Sequence, residues 1–545
     1  SGILVSTGSD NNLITGNSCI NNNNTAGGIG YGIYISAASD NNNIVRGNNF
    51  SGNDVQWKDD GTNSDFEYRC FTAAEIQDAI DSIGAKAGII TIASGTITLT
   101  AAIDVDGGGS YIIRGQADNT VIDVNGDWRA FDISSVISCR IEDLKITAGD
   151  ITTANREVIY IHNATGKTTI DNITIDCESG VACPIKIDGT EYTTVQNSVF
   201  ENILGITAGA GLNGSNHYGL YILNSSYTLI ERNHFTTMKS GTGGNGGVGA
   251  NGGNGGTMYV IYNSSERSII ENNIFDMNIF SGDGGNGGTG DPAGNGGTGG
   301  SLYLIYVYMN DNLIKGNRVD RTAGVYNAGN GGNGGETNGG AMGTDGNGGD
   351  GGIFYGIYVF SDLAPQTNEV LLNAISGNAG NGGDGGNTGL GGLGGNGGAA
   401  YGIVDECGAM AINSNYIGLV IAGNTSAVPM PQNDGNVYGI WLNAISHTSI
   451  IGNQIQLSCA GGGTPYSIFG NGAEDLNIII GNYCLTGVAT ITVAGANDII
   501  LGNITMAAGE AGWSGWFDDG VNFRVTVLNG IITAVANSTG GGHNP

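Results

Sequence analysis

Apolar residues in this chain fall in short alternating runs, and the runs repeat. One phrase recurs: a few polar residues, two or three aliphatics, a polar residue, Asn, then apolar residues again. It reads LITGNSCI ending at Ile20, IVRGNNF at Phe50, TTIDNITI at Ile175, TVQNSVF at Phe200, LIERNHF at Phe235 and IIENNIF at Phe275. It continues as LIKGNRV at Val319, VLLNAI at Ile375, AINSNYI at Ile417, SIIGNQI at Ile455, IIIGNYC at Cys484 and IILGNIT at Thr505. A second run precedes most copies, among them YGLYILN, MYVIYN, LYLIYV, FYGIYVF and VYGIWLN. Alternation rich in Ile, Val and Tyr predicts β-strands.

The spacing of the Asn residues gives the repeat. Asn172 to Asn197 is about 25 residues, Asn453 to Asn482 about 29 and Asn482 to Asn503 about 21. A unit of that size with two or three short strands and an Asn corner predicts one coil of a parallel β-helix, aliphatics stacked along the axis. Asn at matching corners can bond coil to coil, and it tolerates the left-handed geometry of a turn. The Asn-x-Ser/Thr sites at Asn172, Asn224, Asn263 and Asn503 are assigned to this ladder, not to glycosylation.

From Asn233 through Asn273, Asn317, Asn373 and Asn415 the spacing grows to about 40, 44, 56 and 42 residues. Glycine-rich insertions at about 240–257, 281–301, 327–352 and 377–399 account for the excess, so they leave successive coils at one corner and lie side by side. Their non-glycine residues keep a period of three. The first has Thr242, Asn245, Val248, Asn251, Asn254 and Thr257, with Ala250 the exception; the second has Asp283, Asn286, Thr289, Pro292, Asn295, Thr298 and Ser301. The fourth has Asn378, Asn381, Asp384, Asn387, Leu390, Leu393, Asn396 and Ala399. The third holds phase from Asn327 to Glu336 and resumes one residue out of phase from Asn338.

Three residues per turn is the polyproline II period. Glycine at two of every three positions leaves two faces bare, so neighbouring backbones can exchange hydrogen bonds as in polyglycine II. Each insertion has room for a helix out and a helix back, meeting near Ala250, Asp291–Ala293, Glu336–Met342 and Thr388. Ordering backbone costs about 1–2 kcal/mol per residue and a hydrogen bond returns about 1 kcal/mol net. One such hairpin should melt, whereas eight packed helices anchored on a rigid shaft can persist. The side chains that this slab presents for interaction are Asn245, Val248, Asn251, Asn254, Asn286, Asn295, Asn381, Leu390, Leu393 and Asn396.

Residues 1–57 read as the last coils of a preceding β-helix. The pattern breaks at KDDGTNSDFEYRC, and a helical spacing at Ile76, Ile80 and Ile83 predicts an amphipathic helix over a core end, so 58–85 form a linker and capping helix. A main β-helix follows over 86–508, and 509–545 form a hairpin module turning at Asn529-Gly530. The chain opens on Ser1 with no visible signal peptide, which points to a processed or partial chain.

Composition narrows the partners. Of 545 residues 101 are Gly, and 49 acidic against 18 basic residues leave a net charge of −31. Such a charge excludes nucleic acid and repels polyanions unless a cation intervenes. No apolar run approaches a membrane span of about 20 residues. Eight cysteines show no paired CxxC spacing. Cys177 and Cys183 could bridge, Cys459 and Cys484 could stack, and most thiols are expected free and buried. No cofactor or metal is expected.

The helix followed by GIITIASGTITLT and the Asn-laddered coils resembles the pectate-lyase-like right-handed β-helix superfamily over nearly all of 71–508. That superfamily includes polysaccharide lyases and hydrolases, phage tailspikes and surface adhesins. The triplet insertions are similar to the polyglycine II sandwiches of some phage tail-fibre adhesins. WFDDGVNFRVTVLNGIITAV is similar to C-terminal modules of phage structural proteins. The resemblance implies an all-β right-handed solenoid but no one activity.

Catalysis in such a fold needs paired carboxylates on one strand face. Asp405 and Glu406 in GIVDECG are the best candidates, although adjacent strand residues point to opposite faces. Both DDG sites, Asp59-Asp60 and Asp518-Asp519, read as turns, and His217 and the pair Lys186/Asp188 as solvated corner residues. The expected function is therefore a structural or adhesive subunit of an extracellular fibre or virion appendage, self-associating or meeting a surface glycan or receptor. The alternative is a tailspike-like polysaccharide depolymerase.

Overall fold

The computed structural model describes residues 2–6, 8–22, 29–36, 43–46, 48, 53, 55–60, 65–149, 157–177, 181, 183–276, 278–319, 327–337, 344–361, 367–386, 392–424, 434–443, 447–458, 463–471, 476–485, 490–493, 498–506, 514–518, 523–528 and 531–537. Strands pair in parallel, coil on coil. One wall is a 12-stranded sheet in chain order from Ile103–Val105 to Thr490–Thr492. A typical coil runs along this wall as His217–Ser226, turns into Leu229–Glu231, turns again into His234–Lys239, and returns to the first wall as Met258–Glu266. The chain is an all-β parallel β-helix.

Register stacks like on like. On the 12-stranded wall Ile103, Phe131, Ile159, Ile185, Leu220, Ile261, Ile305, Ile357, Ile403, Ile440 and Ile468 form one column. All of them are buried. Each contributes about 1.5–3 kcal/mol by leaving water. A facing column contains Phe200, Phe235 and Phe275, whose rings stack at 5.0 and 5.5 Å.

The corners use two adjacent positions, not one. Asn197, Arg232, Asn272, Gly316, Leu372, Ser414, Gly452, Gly481 and Gly502 have φ between 52 and 65°. The next residue in each case is Ser198, Asn233, Asn273, Asn317, Asn373, Asn415, Asn453, Asn482 or Asn503, and these form the ladder. Asn317 is typical: its Oδ1 accepts from the Asn273 backbone N (3.0 Å) and Nδ2 (2.9 Å), and its own Nδ2 donates to Ile270 O (2.8 Å) and Asn373 Oδ1 (3.0 Å). Asn503 belongs to this ladder, and buried Asn263 bonds Asn312 at a second corner. Asn172 and Asn224 do not. They are left-handed corner residues whose amides reach Asp143 and Asp188 (2.7 and 3.0 Å), because a shift of one residue turns the side chain from the core to the surface.

Residues 65–92 differ from a simple linker. Strand Asp65–Cys70 lies inside the stretch where the pattern breaks, and the ladder runs Ile44↔Asp65 and Phe66↔Gly88 without interruption. The helix Ala73–Ile83 starts at a capping box between Thr72 and Glu75 and buries Ile76, Ala79, Ile80 and Ile83. At the C-terminus Ser514–Asp518, Phe523–Leu528 and Ile531–Asn537 form an antiparallel sheet. The turn at Asn529-Gly530 lies outside the described residues.

Candidate functional site

The glycine-rich segments leave the helix between the His234–Lys239 type of strand and the 12-stranded wall. Among the described residues they contain no helix and, past Asn378, no strand, yet their backbones are bonded at every third residue. On the outgoing arm Gly243, Gly246 and Gly249 donate to Asp283, Asn286 and Thr289 of the next insertion (2.9, 2.7 and 3.0 Å). On the return arm Gly252 and Gly255 donate to Asn295 and Thr298 (2.9 and 2.8 Å). The second glycine of each triplet bonds across: Gly253 to Gly244, Gly285 to Gly253, Gly297 to Gly285 and Gly332 to Gly297, all at 2.8 Å. Backbones this close leave no room for a side chain, since a Cβ on Gly297 would lie 2.0 Å from Gly253 O.

The lattice extends past the insertions themselves. Residues 205–216 lack the Gly-Gly-x triplet, but Ala208, Gly211 and Gly214 donate to Thr242, Asn245 and Asn254 (2.8, 2.9 and 2.7 Å). At the other end Gly382 donates to Asn424 and Gly423 to Gly398 (2.9 and 3.0 Å). The described tips agree with the expected turns. Val248-Gly249 turn the first insertion, with Gly249 at φ 68°, and the second turns at Asp291–Ala293. Leu390 and Thr388 lie outside the described residues, as do 338–343.

The third position of the triplet explains its own chemistry. Its backbone N–H points along the slab surface, away from the carbonyls that serve the glycines. Asn of the coil below supplies the acceptor: Asn245 Oδ1 takes the Asn286 N–H (2.9 Å), Asn251 that of Asn295 (2.9 Å) and Asn254 that of Thr298 (3.0 Å). Asn286 serves Asn333, Asn295 serves Asn347 and Asn381 serves Asn424, at 2.8–2.9 Å. Asn347 and Asp350 likewise serve Leu393 and Asn396 (2.8 and 2.7 Å). Val248, 85% exposed at the tip, is the most open large apolar side chain among the described residues.

The return arm runs directly into an aromatic wall. Tyr218, Tyr259, Tyr303, Tyr355, Tyr401, Tyr438 and Tyr466 occupy one register position, and successive rings lie 4.4–5.3 Å apart within 7–10° of parallel. A second column contains Tyr221, Tyr262, Tyr306 and Tyr358, then buried Val404, then Trp441 and Phe469. Burial pushes the phenols of Tyr218, Tyr259, Tyr262, Tyr306, Tyr355 and Tyr401 upward, Tyr355 to about 12, so they are neutral over the ordinary pH range. Asn436 Nδ2, just before strand Val437–Leu442, donates to the Tyr438 hydroxyl (3.2 Å) at the edge of the aromatic wall. The sequence runs were legible as strands; the columns required the register.

Asp405 and Glu406 point in opposite directions. Asp405 is fully buried; its carboxylate accepts from the Cys407 and Gly408 N–H groups (3.0 and 3.2 Å) and the Thr448 hydroxyl (2.7 Å). Burial raises its pKa. Its carboxylate thus ties the turn after its own strand to Thr448 of the next coil. Glu406 faces outward and is held by the Tyr358 hydroxyl (2.5 Å) and Asn443 Nδ2 (2.8 Å).

His217 is not solvated: it is buried, bonded to Ser215 O (3.0 Å), and desolvation lowers its pKa. Lys186 and Asp188 lie 3.9 Å apart on the outer face of the wall, in a cluster that sequence reasoning missed. There Arg129 pairs with Asp132 and Glu157 (both 2.5 Å), His162 Nε2 meets Asp132 Oδ1 (2.8 Å), and Tyr160 stacks on His162 at 4.4 Å. Arg129 and Lys186 flank the Tyr160 ring at 4.5 and 4.9 Å. Asp60 bonds the Tyr34 hydroxyl and Lys58 (2.7 and 3.0 Å), and Asp519 lies outside the described residues. Cys177 and Cys183 are free and buried; Cys459 lies outside the described residues. Among the described residues no group of His, Cys, Asp and Glu is arranged to hold a metal, and no helix is long and apolar enough to cross a membrane.

The class of protein is thus a parallel β-helix carrying a glycine-rich lattice and an aromatic wall on one side. No protein-family model and no curated protein matches the sequence. Among solved structures, the A-module of the Azotobacter vinelandii mannuronan C-5 epimerase AlgE6 is 14% identical over 80% of this chain and 95% of its own, with a TM-score of 0.41. A mannuronic acid-specific family 6 polysaccharide lyase from human gut microbiota is 11% identical, covering 80% of this chain and 86% of that one at a TM-score of 0.33. PfbA, a surface adhesin of Streptococcus pneumoniae, is 12% identical over 86% and 96%, with a TM-score of 0.32.

Proposed function

We propose that this chain is a structural and adhesive module of an extracellular fibre, on a cell surface or a virion, with the β-helix as shaft. In this reading the glycine-rich segments are polyglycine II helices joined in a slab. The slab serves self-association or receptor contact through Asn245, Val248, Asn251, Asn254, Asn286, Asn295, Asn381, Leu390, Leu393 and Asn396. In this reading the coils of 1–57 lead through strand Asp65–Cys70 and the capping helix of 58–85 into the main shaft of 86–508, and 509–545 form a terminal module. The observation that carries the reading is the three-residue bonding step: glycines bury against one another while the third side chain of each triplet is set outward in rows. Such a surface is rigid and repetitive, as a fibre contact requires, and it offers no concave reaction chamber. Electron microscopy and sedimentation test it. The proposal expects filaments or symmetric particles joined through the insertions, and deletion of 241–256 disrupts them. A monodisperse monomer that adheres to no cell surface contradicts it.

A second reading, a polysaccharide depolymerase, is favoured by the Asp132–His162–Tyr160 cluster beside Arg129 and Lys186. Glycan shortening that is lost in His162→Ala would establish it over the first.

A further inference from the structure

Two parallel columns of aromatic rings on one wall are more than packing needs, because the core lies on the other face of the same strands. Rings that are parallel yet 4.4–5.3 Å apart exceed the about 3.5–4.0 Å of face-to-face contact, so they are slid past one another. The aromatic side chains of both columns are half-buried, so each leaves part of its surface toward solvent. Within a row the two columns meet nearly at right angles, as Tyr259–Tyr262 (87°) and Tyr303–Tyr306 (87°) do. The result is a ridged strip along the helix axis, bounded on one side by the slab.

Its electrostatics are unlike the rest of the molecule. The chain carries −31, yet the side chains in the two columns are Tyr, Trp, Phe and one Val. Burial pushes the Tyr262 and Tyr306 phenols upward, so their neutral hydroxyls can both donate and accept, while the Tyr358 hydroxyl donates to Glu406 at the edge of the strip. Beside them Asn436 reaches the Tyr438 hydroxyl, and the return arm adds amides and hydroxyls in rows. A partner for such a strip is uncharged, carries hydroxyls along its length and apolar ring faces between them, and repeats as regularly as the coils do. A protein surface lacks that regularity, and a polyanion is repelled by the surrounding charge.

We infer that the aromatic strip binds a neutral polysaccharide laid parallel to the helix axis, with sugar rings against the Tyr262, Tyr306 and Trp441 column and their hydroxyls on the phenols and slab amides. The inference rests on the adhesive reading above and names its partner.

Affinity electrophoresis tests it, with native gels containing hydroxyethylcellulose, galactomannan, mixed-linkage β-glucan or dextran, and polygalacturonate as the anionic counter-probe. The wild type is retarded by at least one neutral polymer and not by polygalacturonate, with little dependence on salt. The pair Tyr262→Ala/Tyr306→Ala loses at least tenfold in apparent affinity. Tyr262→Phe/Tyr306→Phe, which keeps the rings and the fold, loses severalfold, and Asp118→Ala, exposed on a coil outside the strip, loses nothing. Passage of the wild type through every neutral gel unretarded overturns the inference, whatever protein the face captures. So does retardation that the Phe pair and the Ala pair both leave unchanged, or a preference for polygalacturonate. Electron microscopy of the same samples separates the two claims. Fibres that ignore the neutral gels sink the glycan and leave the fibre, and a retarded chain that stays monomeric does the reverse.

Discussion

Replacing Gly297 by Ala should damage the slab far more than replacing Gly247 by Ala. Gly297 is an inner residue: its N–H donates to Gly285 O and its carbonyl accepts from Gly332 N, both at 2.8 Å. A Cβ there would sit 2.0 Å from Gly253 O and 2.5 Å from Gly253 C. Restoring ordinary contact requires the two segments to part by about 1.5 Å, which is enough to break a hydrogen bond. The bonds Gly297–Gly285, Gly285–Gly253 and Gly253–Gly244 share those segments. At about 1 kcal/mol each, with strain added, the expected loss is about 3–5 kcal/mol. Gly247 meets nothing within 4 Å of an added Cβ and does not have a positive φ. Ala there only restricts the unfolded chain and should stabilise by about 0.4–1 kcal/mol. Urea melts with limited proteolysis of the insertions measure both. If the two variants melt and resist protease equally, the close backbone packing is wrong.

Further outcomes follow from the corners and the core. Asn317→Leu strands the buried Asn273 N–H and amide, among other groups, and should cost about 3–6 kcal/mol in a urea melt, whereas Asn245→Leu on the slab surface should cost under about 1 kcal/mol. Burial raises the Asp405 pKa, so the folded chain holds that proton more tightly than the unfolded one. Its contribution is full below the ordinary carboxylate pKa and is lost as pH rises from there through the raised value. Asp405→Asn keeps an acceptor for Cys407 and Gly408, should flatten that part of the stability–pH curve, and should be at least as stable as wild type at pH 7. Burial pushes the Cys139 thiol up to about 12, so iodoacetamide at about pH 8 should leave it unlabelled in the folded chain and label it in urea.

Much of this architecture was legible because a solenoid repeats its instructions. The phrase around each Asn places the strands, and Ile76, Ile80 and Ile83 mark the helix face. The corner was legible only to within a residue. At Asn172 and Asn197 an Asn occupies the left-handed position, while at Asn233 and its successors it occupies the ladder, and adjacent Asn residues satisfy either role. The three-residue bonding step of the glycine segments was legible from their phase, since a triplet repeat is local. The ends of the lattice were not, because residues 205–216 join through their backbone and the Asn213 and Asn216 side chains without a Gly-Gly-x pattern. The role of Asp405 was hidden for a different reason: its hydroxyl partner, Thr448, lies 43 residues on. The cluster around His162 joins Arg129, Asp132, Glu157 and Lys186 from three strands, and nothing local signals it.

The most direct test of the account is hydrogen exchange of the insertions, read peptide by peptide. If the glycine segments are a bonded lattice, the amides of 241–256 and 282–300 exchange orders of magnitude more slowly than free chain. Inner glycines such as Gly253, Gly285 and Gly297 should be protected comparably to strand Met258–Glu266. Exchange of those segments at the rate of an unstructured peptide, beside protected strands, would show slack chain on a β-helix and contradict the account.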